Sequence, residues 1–429
     1  MLETLRNAWK VQDLRKKILY TAMILLVFRI GANIPVPFID TNALSELFAQ
    51  LSETGSALSY LNIFTGGGLS NATLFAMSIS PYINASIILQ LLTVAIPALE
   101  AIAKEGEEGR RKIASWTRYL TVVIGLIQGF SYYVMLRNYN LLSTTHWLAV
   151  ATLILTFMAG SAVVMWLGEH ITEHGIGNGI SIILFAGIIS SGPQLIQTFW
   201  NMIAGGNVRS IVEAVVMILV GLFILTFIVY MQNAERRIPI QYAKRVVGRK
   251  VYGGQSTHLP IKVNATGVMP IIFTSSILSI PATVEMFWPA ERGPLASAVF
   301  SMFAQTSPFY IVLYALLIVG FSYFYASIQF NPVEIANNLQ KNGGFIPSFR
   351  PGKPTADFIT KALAKVVLVG AFFLGVVAIV PLIVGAFSTN LRNVAVGGTS
   401  VIIVVGVALE TMQAVEAQLM MRHHKGFLE

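Results

Sequence analysis

Residues 61–92 read LNIFTGGGLSNATLFAMSISPYINASIILQLL, and this stretch interrupts the simple alternation of apolar runs and polar gaps found elsewhere in the chain. A short apolar piece ends in Thr65-Gly66-Gly67-Gly68, and the long apolar run resumes only after Asn71. Three consecutive glycines break a helix, and non-helical backbone at membrane depth is tolerated only where protein or a water-filled cavity satisfies it. We predict a short re-entrant piece beside a pathway; the alternative is an ordinary outer loop before the next span.

The composition is that of a polytopic membrane protein. Of the 429 residues, 55% are hydrophobic and 11% charged, and the mean hydropathy is +0.69, which lies outside the soluble globular range. Because lipid offers no partner to an open sheet edge, the sequence predicts an all-α bundle of ten transmembrane helices. Five spans in each half would enter the membrane with opposite orientations, as an inverted repeat requires. Apolar runs of roughly 20 residues begin near Ile18, Thr73, Tyr119, Trp147, Ile180, Ile211, Val268, Pro308, Ala362 and Thr399.

The basic residues are concentrated in alternate gaps between these spans. Of the 29 Lys and Arg residues, 24 lie on one side, which the positive-inside rule assigns to the cytoplasm. We therefore predict that both chain termini are cytoplasmic. A net charge of +9 would suggest nucleic acid in a soluble protein, but charge confined to loops favours anionic lipid or an acidic partner surface. We predict no direct nucleic-acid specificity.

Two long gaps, residues 232–267 and 331–360, carry much of this basic charge. The first contains Val251-Tyr252-Gly253-Gly254, a turn signal that predicts a hairpin. Both gaps are too long to be simple connectors. They either enforce the topology or dock a partner, and the residues alone favour neither alternative.

His170-Ile171-Thr172-Glu173-His174 matches the pattern of a zinc peptidase, in which two imidazoles one helical turn apart bind the metal. We expect no metal there, because residues 175–179, GIGNG, should break the helix that holds the pair, and a third ligand is missing. The chain has no cysteine and no nucleotide-binding or nucleophile-elbow motif. We therefore predict no catalytic residue, no cofactor and no enzyme activity.

An ion-coupled secondary transporter with inverted repeats is the alternative function for ten spans in two halves. It would require a polar substrate pocket and ionisable residues near the membrane midplane. The middles of the spans offer instead bulky aliphatic residues with scattered small polar ones. A ring of aliphatic side chains can gate a pore by excluding water.

A series of motifs runs in order along the whole chain. The motifs are Phe28-Arg29-Ile30-Gly31, Ile34-Pro35-Val36-Pro37, residues 81–92 (PYINASIILQLL), residues 175–181 (GIGNGIS), Glu235-Arg236-Arg237-Ile238-Pro239, residues 259–264 (LPIKVN), Gly344-Phe345-Ile346-Pro347, Arg350-Pro351-Gly352 and Gly397-Gly398-Thr399-Ser400. Together they resemble the motifs of the bacterial SecY family, the channel subunits of the general protein translocase. The resemblance implies two five-helix halves that close around a central hourglass pore, with a lateral opening between spans two and seven.

The resemblance also implies roles for individual residues. The plug that blocks the resting channel would be a short re-entrant helix at about residues 61–71, with Leu61, Ile63, Phe64, Gly66, Gly67, Gly68 and Leu69. The constriction, here called the collar, would consist of Ile79, Ile83, Ile180, Leu184, Ile272 and Ile403. Leu184 departs from the isoleucine usual in the family, a change that conserves volume. The lateral gate would contain Asn84, Gln90, Gln128, Thr274, Ser275 and Ser276.

The resemblance further implies a protein-conducting channel in the bacterial cytoplasmic membrane that translocates unfolded preproteins and releases membrane segments sideways into lipid. Its expected partners are SecE, SecG, the motor ATPase SecA, the ribosome, preprotein signal sequences and anionic lipids. The expected domains are a cytoplasmic segment at 1–17, a first half at 18–200, a second half at 201–421 and a cytoplasmic tail at 422–429. The expected docking residues are Arg236, Arg237, Lys244, Arg245, Arg249, Lys250 and Arg350.

Overall fold

Long helices make up most of the computed structural model, which describes residues 2–54, 57–205, 208–242, 245–247, 250–252, 256–264, 266–287, 293–304, 307–387 and 389–425. The first half contains α1 (Leu2–Lys10), α2 (Gln12–Gly31), α3 (Thr41–Thr54), α4 (Ala57–Phe64), α5 (Ser80–Ala95), α6 (Pro97–Ala103), α7 (Glu107–Asn138), α8 (Trp147–His174), α9 (Gly179–Ser190) and α10 (Gly192–Ala204). The second half contains α11 (Val208–Asn233), α12 (Met269–Met286), α13 (Pro294–Met302), α14 (Pro308–Gln329), α15 (Pro332–Lys341), α16 (Lys353–Phe387) and α17 (Thr389–Lys425).

Ten membrane-spanning segments account for the fold. Within the described residues, eight helical segments are long and apolar enough to cross a bilayer, and α5 with α6, bent by 107°, makes a ninth. The tenth is α2, a 20-residue helix whose first turns carry Arg15, Lys16 and Lys17 ahead of its apolar part. The predicted all-α membrane fold is confirmed.

The second span begins later than predicted. Its helix, α5, starts at Ser80 and not near Thr73, because the preceding residues form turns in which Ala72 and Ser78 adopt positive φ. Pro81 then occupies the first helical turn, where its missing N–H costs nothing. As a result Ile79 precedes the helix as its cap residue.

Two later helices begin before the apolar runs that predict their spans. The helix α16 starts at Lys353, before the run near Ala362, and α17 starts at Thr389, before the run near Thr399. Hydropathy marks only the part of a helix that lies in lipid, whereas each helix continues into the polar region beyond it.

The two basic gaps, which are predicted to be cytoplasmic, fold into one unit. Strand β1 (Glu235–Tyr242) pairs antiparallel with β4 (Ser256–Lys262) on one side and with β5 (Gly344–Phe345), from the second gap, on the other. Strands β2 (Arg245–Val247) and β3 (Lys250–Tyr252) pair at the hairpin tip. The predicted hairpin exists, but its turn was placed wrongly: Val251 and Tyr252 lie in β3, and the chain reverses between Val247 and Lys250. Gly253 and Gly254 lie outside the described residues.

The main hydrophobic core joins the two halves. A single cluster of buried side chains includes members from α2, α5, α8 and α9 of the first half and from α11, α12, α14, α16 and α17 of the second. A separate cluster beneath the three-stranded sheet contains Ile238, Ile240, Ile261 and Ile346. The membrane core and this sheet are therefore separately packed parts of one chain.

Candidate functional site: a sealed constriction between the two halves

The predicted collar residues converge from both halves of the chain. Ile79 and Ile83 at the start of α5, Leu184 on α9 and Ile272 on α12 line one cavity. Ile403 on α17 is fully buried in the same hydrophobic cluster, and Ile180 is half-buried against that cluster. Four of the six aliphatic side chains thus meet at one cavity between the two halves, and the other two lie in or against the same large hydrophobic cluster.

The cavity at this point is small. Its volume is about 30 Å³, enough for roughly two water molecules. Leu61 of α4 lies on one side of it, and Ser275, Ser276 and Ser279 of α12 lie on another. A space of this size inside an apolar ring admits neither a polypeptide nor a hydrated ion, so the passage is closed.

Gly168 of α8 lies behind the collar. A Cβ atom added at Gly168 would lie 3.4 Å from the Cδ1 atoms of Ile79 and Ile183 and 3.6 Å from Cγ1 of Ile180, which are ordinary van der Waals distances. Gly168 therefore marks the place where α8 packs against Ile79 and Ile180. This contact was not predictable from the sequence, because a single glycine in an apolar helix has many possible roles.

The short helix α4 occupies the predicted position of the plug. It contacts α9 of the first half and α12 and α17 of the second. Leu61 reaches the collar cavity, and Leu69 lies on a second cavity with Gln128 of α7 and Met286 of α12. The helix begins at Ala57, four residues before the predicted start of the plug at Leu61. Of Phe64 only the backbone is described, in the last turn of α4.

The three glycines end α4 and form the turn that follows. Gly66 and Gly67 have φ of 66° and 82°, a left-handed conformation that glycine adopts at little cost. A Cβ atom at Gly66 would lie 2.7 Å from Ser190 Oγ and 2.9 Å from the Gly187 carbonyl oxygen of α9. The prediction that the glycines break the helix is confirmed, and Gly66 also allows close contact with α9.

Hydrogen bonds hold this turn in place. The Tyr132 hydroxyl of α7 donates to the Leu69 carbonyl oxygen at 2.6 Å, and the Ser190 hydroxyl donates to the Gly66 carbonyl oxygen at 3.3 Å. Within the segment, Asn62 Oδ1 accepts from the Ser70 N–H at 2.9 Å. The plug is therefore bonded to α7 and α9 of the first half.

The predicted gate residues lie on the helices that face each other across the two halves. Helix α12 contacts both α5 and α7, so the helices on the two sides of the predicted lateral opening touch. Asn84 of α5, Gln128 of α7 and Thr274 and Ser275 of α12 are buried, while Ser276 lines the collar cavity. Gln90 bonds to Ser86 one turn earlier on α5, with Nε2 and Oγ 3.1 Å apart.

The surface where α12 packs against α5 and α7 is here called the seam, and its buried polar atoms do not all form hydrogen bonds. Gln128 Oε1 is buried without a hydrogen-bond partner among the described residues. The Ser275 and Tyr314 hydroxyls lie 3.4 Å apart, which links α12 to α14 within the second half. Ser131 Oγ of α7 lies 3.7 Å from Met286 Sδ of α12, a contact that crosses the seam. The sequence analysis missed Ser131, Met286 and Tyr314, whose roles depend on contacts between residues far apart in the sequence.

The predicted docking residues are only partly described. Arg236 and Arg237 are exposed on β1, with Arg237 Nε 2.7 Å from Glu235 Oε1. Arg350 is exposed in the loop before α16, and its carbonyl oxygen accepts from the Thr355 hydroxyl at 2.8 Å. Lys244 and Arg249 lie outside the described residues. Of Arg245 and Lys250 only the backbone is described.

Comparison with known proteins shows the family. A family model described as SecY matches residues 73–412. The protein translocase subunit SecY of Halalkalibacterium halodurans is 45% identical over 436 residues, and that of Bacillus subtilis is 43% identical over 437; both alignments cover 100% of this chain and 100% of the relative.

The chain belongs to the SecY family.

Solved structures agree with this assignment at the level of the fold. One described as "The structure of a protein conducting channel" has a TM-score of 0.64 at 18% identity and covers 94% of this chain and 91% of its own. The Sec61 chain of a canine ribosome-channel complex has a TM-score of 0.62 at 16% identity, with the same coverage. This SecY-family protein is accordingly a multi-pass membrane protein that forms a protein-conducting channel, with two inverted five-helix halves around a central pore.

The reason given above for excluding a metal at His170 and His174 is wrong. Helix α8 continues unbroken through His174 and ends at Gly175, so the glycines follow the pair and do not separate it. Glu173 supplies a third donor, and the donor atoms of His170, Glu173 and His174 all lie within 4.8 Å of one another.

Proposed function

We propose that this SecY-family channel closes its resting state with two successive barriers, the aliphatic collar and the plug formed by α4 and residues 65–71. We further propose that it opens when α5 and α7 separate from α12. The observation that supports this proposal most directly is that Ile79, Ile83, Leu184 and Ile272, from both halves, line one cavity of about 30 Å³.

The collar suits a conduit that must pass many kinds of side chain. An apolar ring disfavours water, because water loses its hydrogen bonds there, and it disfavours ions, because they lose their hydration shells. Flexible aliphatic side chains can also mould around a moving polypeptide without offering it a hydrogen-bonding site. A polar midplane pocket, which a small-solute transporter needs, would lack both properties.

The plug adds a second barrier whose displacement can be coupled to gating. Its helix contacts α12 and α17 of the second half, while its turn is hydrogen-bonded to α7 and α9 of the first. If the halves move apart, α4 loses one set of these contacts. We therefore propose that opening of the seam also releases the plug.

Specificity for signal sequences would arise at the seam. The apolar helix of a signal sequence gains about 0.8 kcal/mol for each methylene group that it moves from water into lipid or between α5 and α12. The buried polar residues Asn84, Gln128 and Ser275, one on each of α5, α7 and α12, form the cluster that such a helix would displace.

The experiment for this gate is substitution of Asn84 by Leu. If the buried polar side chain of Asn84 contributes about 1 kcal/mol to closure, export of a preprotein with a defective signal should rise about fivefold. Thr152→Leu, at an exposed position on α8, is the control and should change nothing. Unchanged export of the defective substrate by Asn84→Leu would remove Asn84 from the gate.

We also propose that the cytoplasmic unit docks the SecA motor and the ribosome. Strands β1 and β5 place the two basic gaps in a single sheet, so Arg236, Arg237 and Arg350 can act as one composite surface. Arg350→Glu should abolish ATP-driven export while the protein still inserts into the membrane. Lys341→Glu, at the end of α15, is the control for the change of charge alone. Equal loss of export in both variants would contradict a specific role for Arg350, and so would full export by Arg350→Glu.

The remaining assignments follow from the charge pattern and from the family. We propose a bacterial cytoplasmic membrane location, cytoplasmic termini, SecE clamped around the two halves, SecG at one side and anionic lipid against the basic loops. The first half would occupy residues 18–200 and the second 201–421. Since α10 ends at Ala204, we place the junction between α10 and α11.

A further inference from the structure

We propose that His170, Glu173 and His174 form a binding site for a divalent transition-metal ion of the Zn²⁺ class at the cytoplasmic end of α8. The three donor atoms lie within 4.8 Å of one another in the last turn of the helix. Residues at positions i, i+3 and i+4 share one helix face, and two histidines spaced by four bind Zn²⁺ from such a face.

Only a small movement of the three side chains is needed for all of them to bind one ion. The imidazole centroids of His170 and His174 are 5.5 Å apart, and His174 Nδ1 lies 3.9 Å from Glu173 Oε2. Zn–N and Zn–O bonds of about 2.0–2.2 Å place two ligands of one tetrahedral ion roughly 3.3 Å apart. Side-chain rotations that shorten the largest distance between two donor atoms by about 1.5 Å would place all three donors at bonding distance from one ion.

The surroundings of His170 give a second, independent indication. Its Nδ1 atom is buried and has no hydrogen-bond partner among the described residues. The ring of Trp166, one turn earlier, packs edge-on against the His170 ring at 4.4 Å and 88°, which restricts its rotation. A buried imidazole nitrogen without a partner costs free energy, and metal ligation could use this nitrogen directly.

The chemistry of the donors selects the class of ion. Two imidazoles and one carboxylate suit Zn²⁺, Co²⁺, Ni²⁺ and Cu²⁺ better than Mg²⁺ or Ca²⁺, which prefer oxygen ligands. Glu173 and His174 are exposed, so an ion can enter from the aqueous phase, and water can complete its coordination. The neighbouring Glu169 is engaged by Arg118, with Oε1 and Nε 2.9 Å apart.

A bound ion would stiffen the connection between α8 and the collar. The chain passes from His174 through the turn at residues 175–178 into α9, which carries Ile180 and Leu184. That turn is already fixed by two bonds: the Ile176 N–H donates to Thr21 Oγ1 at 3.3 Å, and the Gly179 N–H donates to Thr172 Oγ1 at 2.9 Å.

The test is metal titration of the purified full-length protein in detergent. Adjacent histidines in the tail could also bind metal, so the background carries His423→Ala and His424→Ala. We expect one Zn²⁺ per chain by calorimetry, and Co²⁺ absorption bands that Zn²⁺ abolishes but excess Mg²⁺ does not. His170→Ala with His174→Ala should weaken Zn²⁺ binding roughly 100-fold, and Glu173→Gln roughly tenfold.

The control variant is His146→Ala with His258→Ala, which removes two histidines elsewhere and should leave the affinity unchanged. Equal melting temperatures of the variants in the absence of metal would exclude misfolding as the cause of any loss. Absence of Zn²⁺ binding in the tail-substituted background, or binding that survives His170→Ala with His174→Ala, would overturn the proposal.

Discussion

At the scale of single residues, we expect closure to depend on buried, branched aliphatic side chains. Ile79, Ile83, Leu184, Ile272 and Ile403 are buried although they come from four different helices. Burial of each such side chain contributes about 1.5–3 kcal/mol, which stabilises the shut ring. A polar side chain in the same place would retain water and lower the barrier to ions.

We predict that Ile83→Asn raises the resting ion conductance of the reconstituted channel roughly tenfold, because the amide lets water wet the ring. Ile88→Asn is the matched control: Ile88 lies on the same helix, and its side chain is exposed on the outside of the bundle, where we expect lipid. Conductance should be measured in planar bilayers without substrate. Equal leaks from both variants would show that position in the ring is irrelevant.

At the residue level, the motifs predicted a collar of six aliphatic residues, and four of them line one cavity. Their role as the constriction stays a prediction. Gly168 and Tyr314 could not be found that way, because each matters through a contact with a distant helix. The role of Gln128 at the gate stays a prediction.

At the scale of elements, the plug and α5 show how backbone conformation positions the site. The glycine triplet predicted the break after α4, since only glycine adopts positive φ without strain. The delayed start of α5 was not predictable from hydropathy: residues 73–79 are as apolar as a span, yet Ser78 has φ of 48° and the helix begins only at Ser80.

Gly66→Ala should loosen the plug. An alanine there would adopt a left-handed φ, which costs about 1–2 kcal/mol, and its Cβ would approach Ser190 Oγ and the Gly187 carbonyl oxygen. We expect a lower melting temperature and a higher resting conductance than in the unmodified channel. Gly192→Ala is the control, because a Cβ at Gly192 meets nothing within 4 Å. The same melting temperature and conductance in both variants would contradict the proposed role of Gly66.

At the scale of the whole molecule, two halves packed through one hydrophobic core must separate to admit a substrate. Hydropathy and charge predicted the number of spans and their alternation. They could not predict that β1 and β5, from gaps about 100 residues apart in sequence, pair in one sheet, because pairing between distant segments leaves no local signal.

Linking α7 to α12 should block opening. Ser131 and Met286 meet across the seam at 3.7 Å, and the chain has no cysteine, so Ser131→Cys with Met286→Cys introduces the only two thiols. A short bifunctional thiol reagent with a reducible spacer should stop preprotein export, and reduction should restore it. Each single-cysteine variant serves as the control. Full export by the cross-linked protein would show that α7 and α12 need not separate.

The central claim is that the translocating polypeptide passes through the ring formed by the collar. A photo-reactive amino acid at position 83 or 272, compared with one at the lipid-facing position 88, tests this directly on a preprotein arrested during export. We expect cross-links to the arrested chain from positions 83 and 272, and lipid adducts from position 88. Cross-links from position 88 with none from the collar would contradict the account.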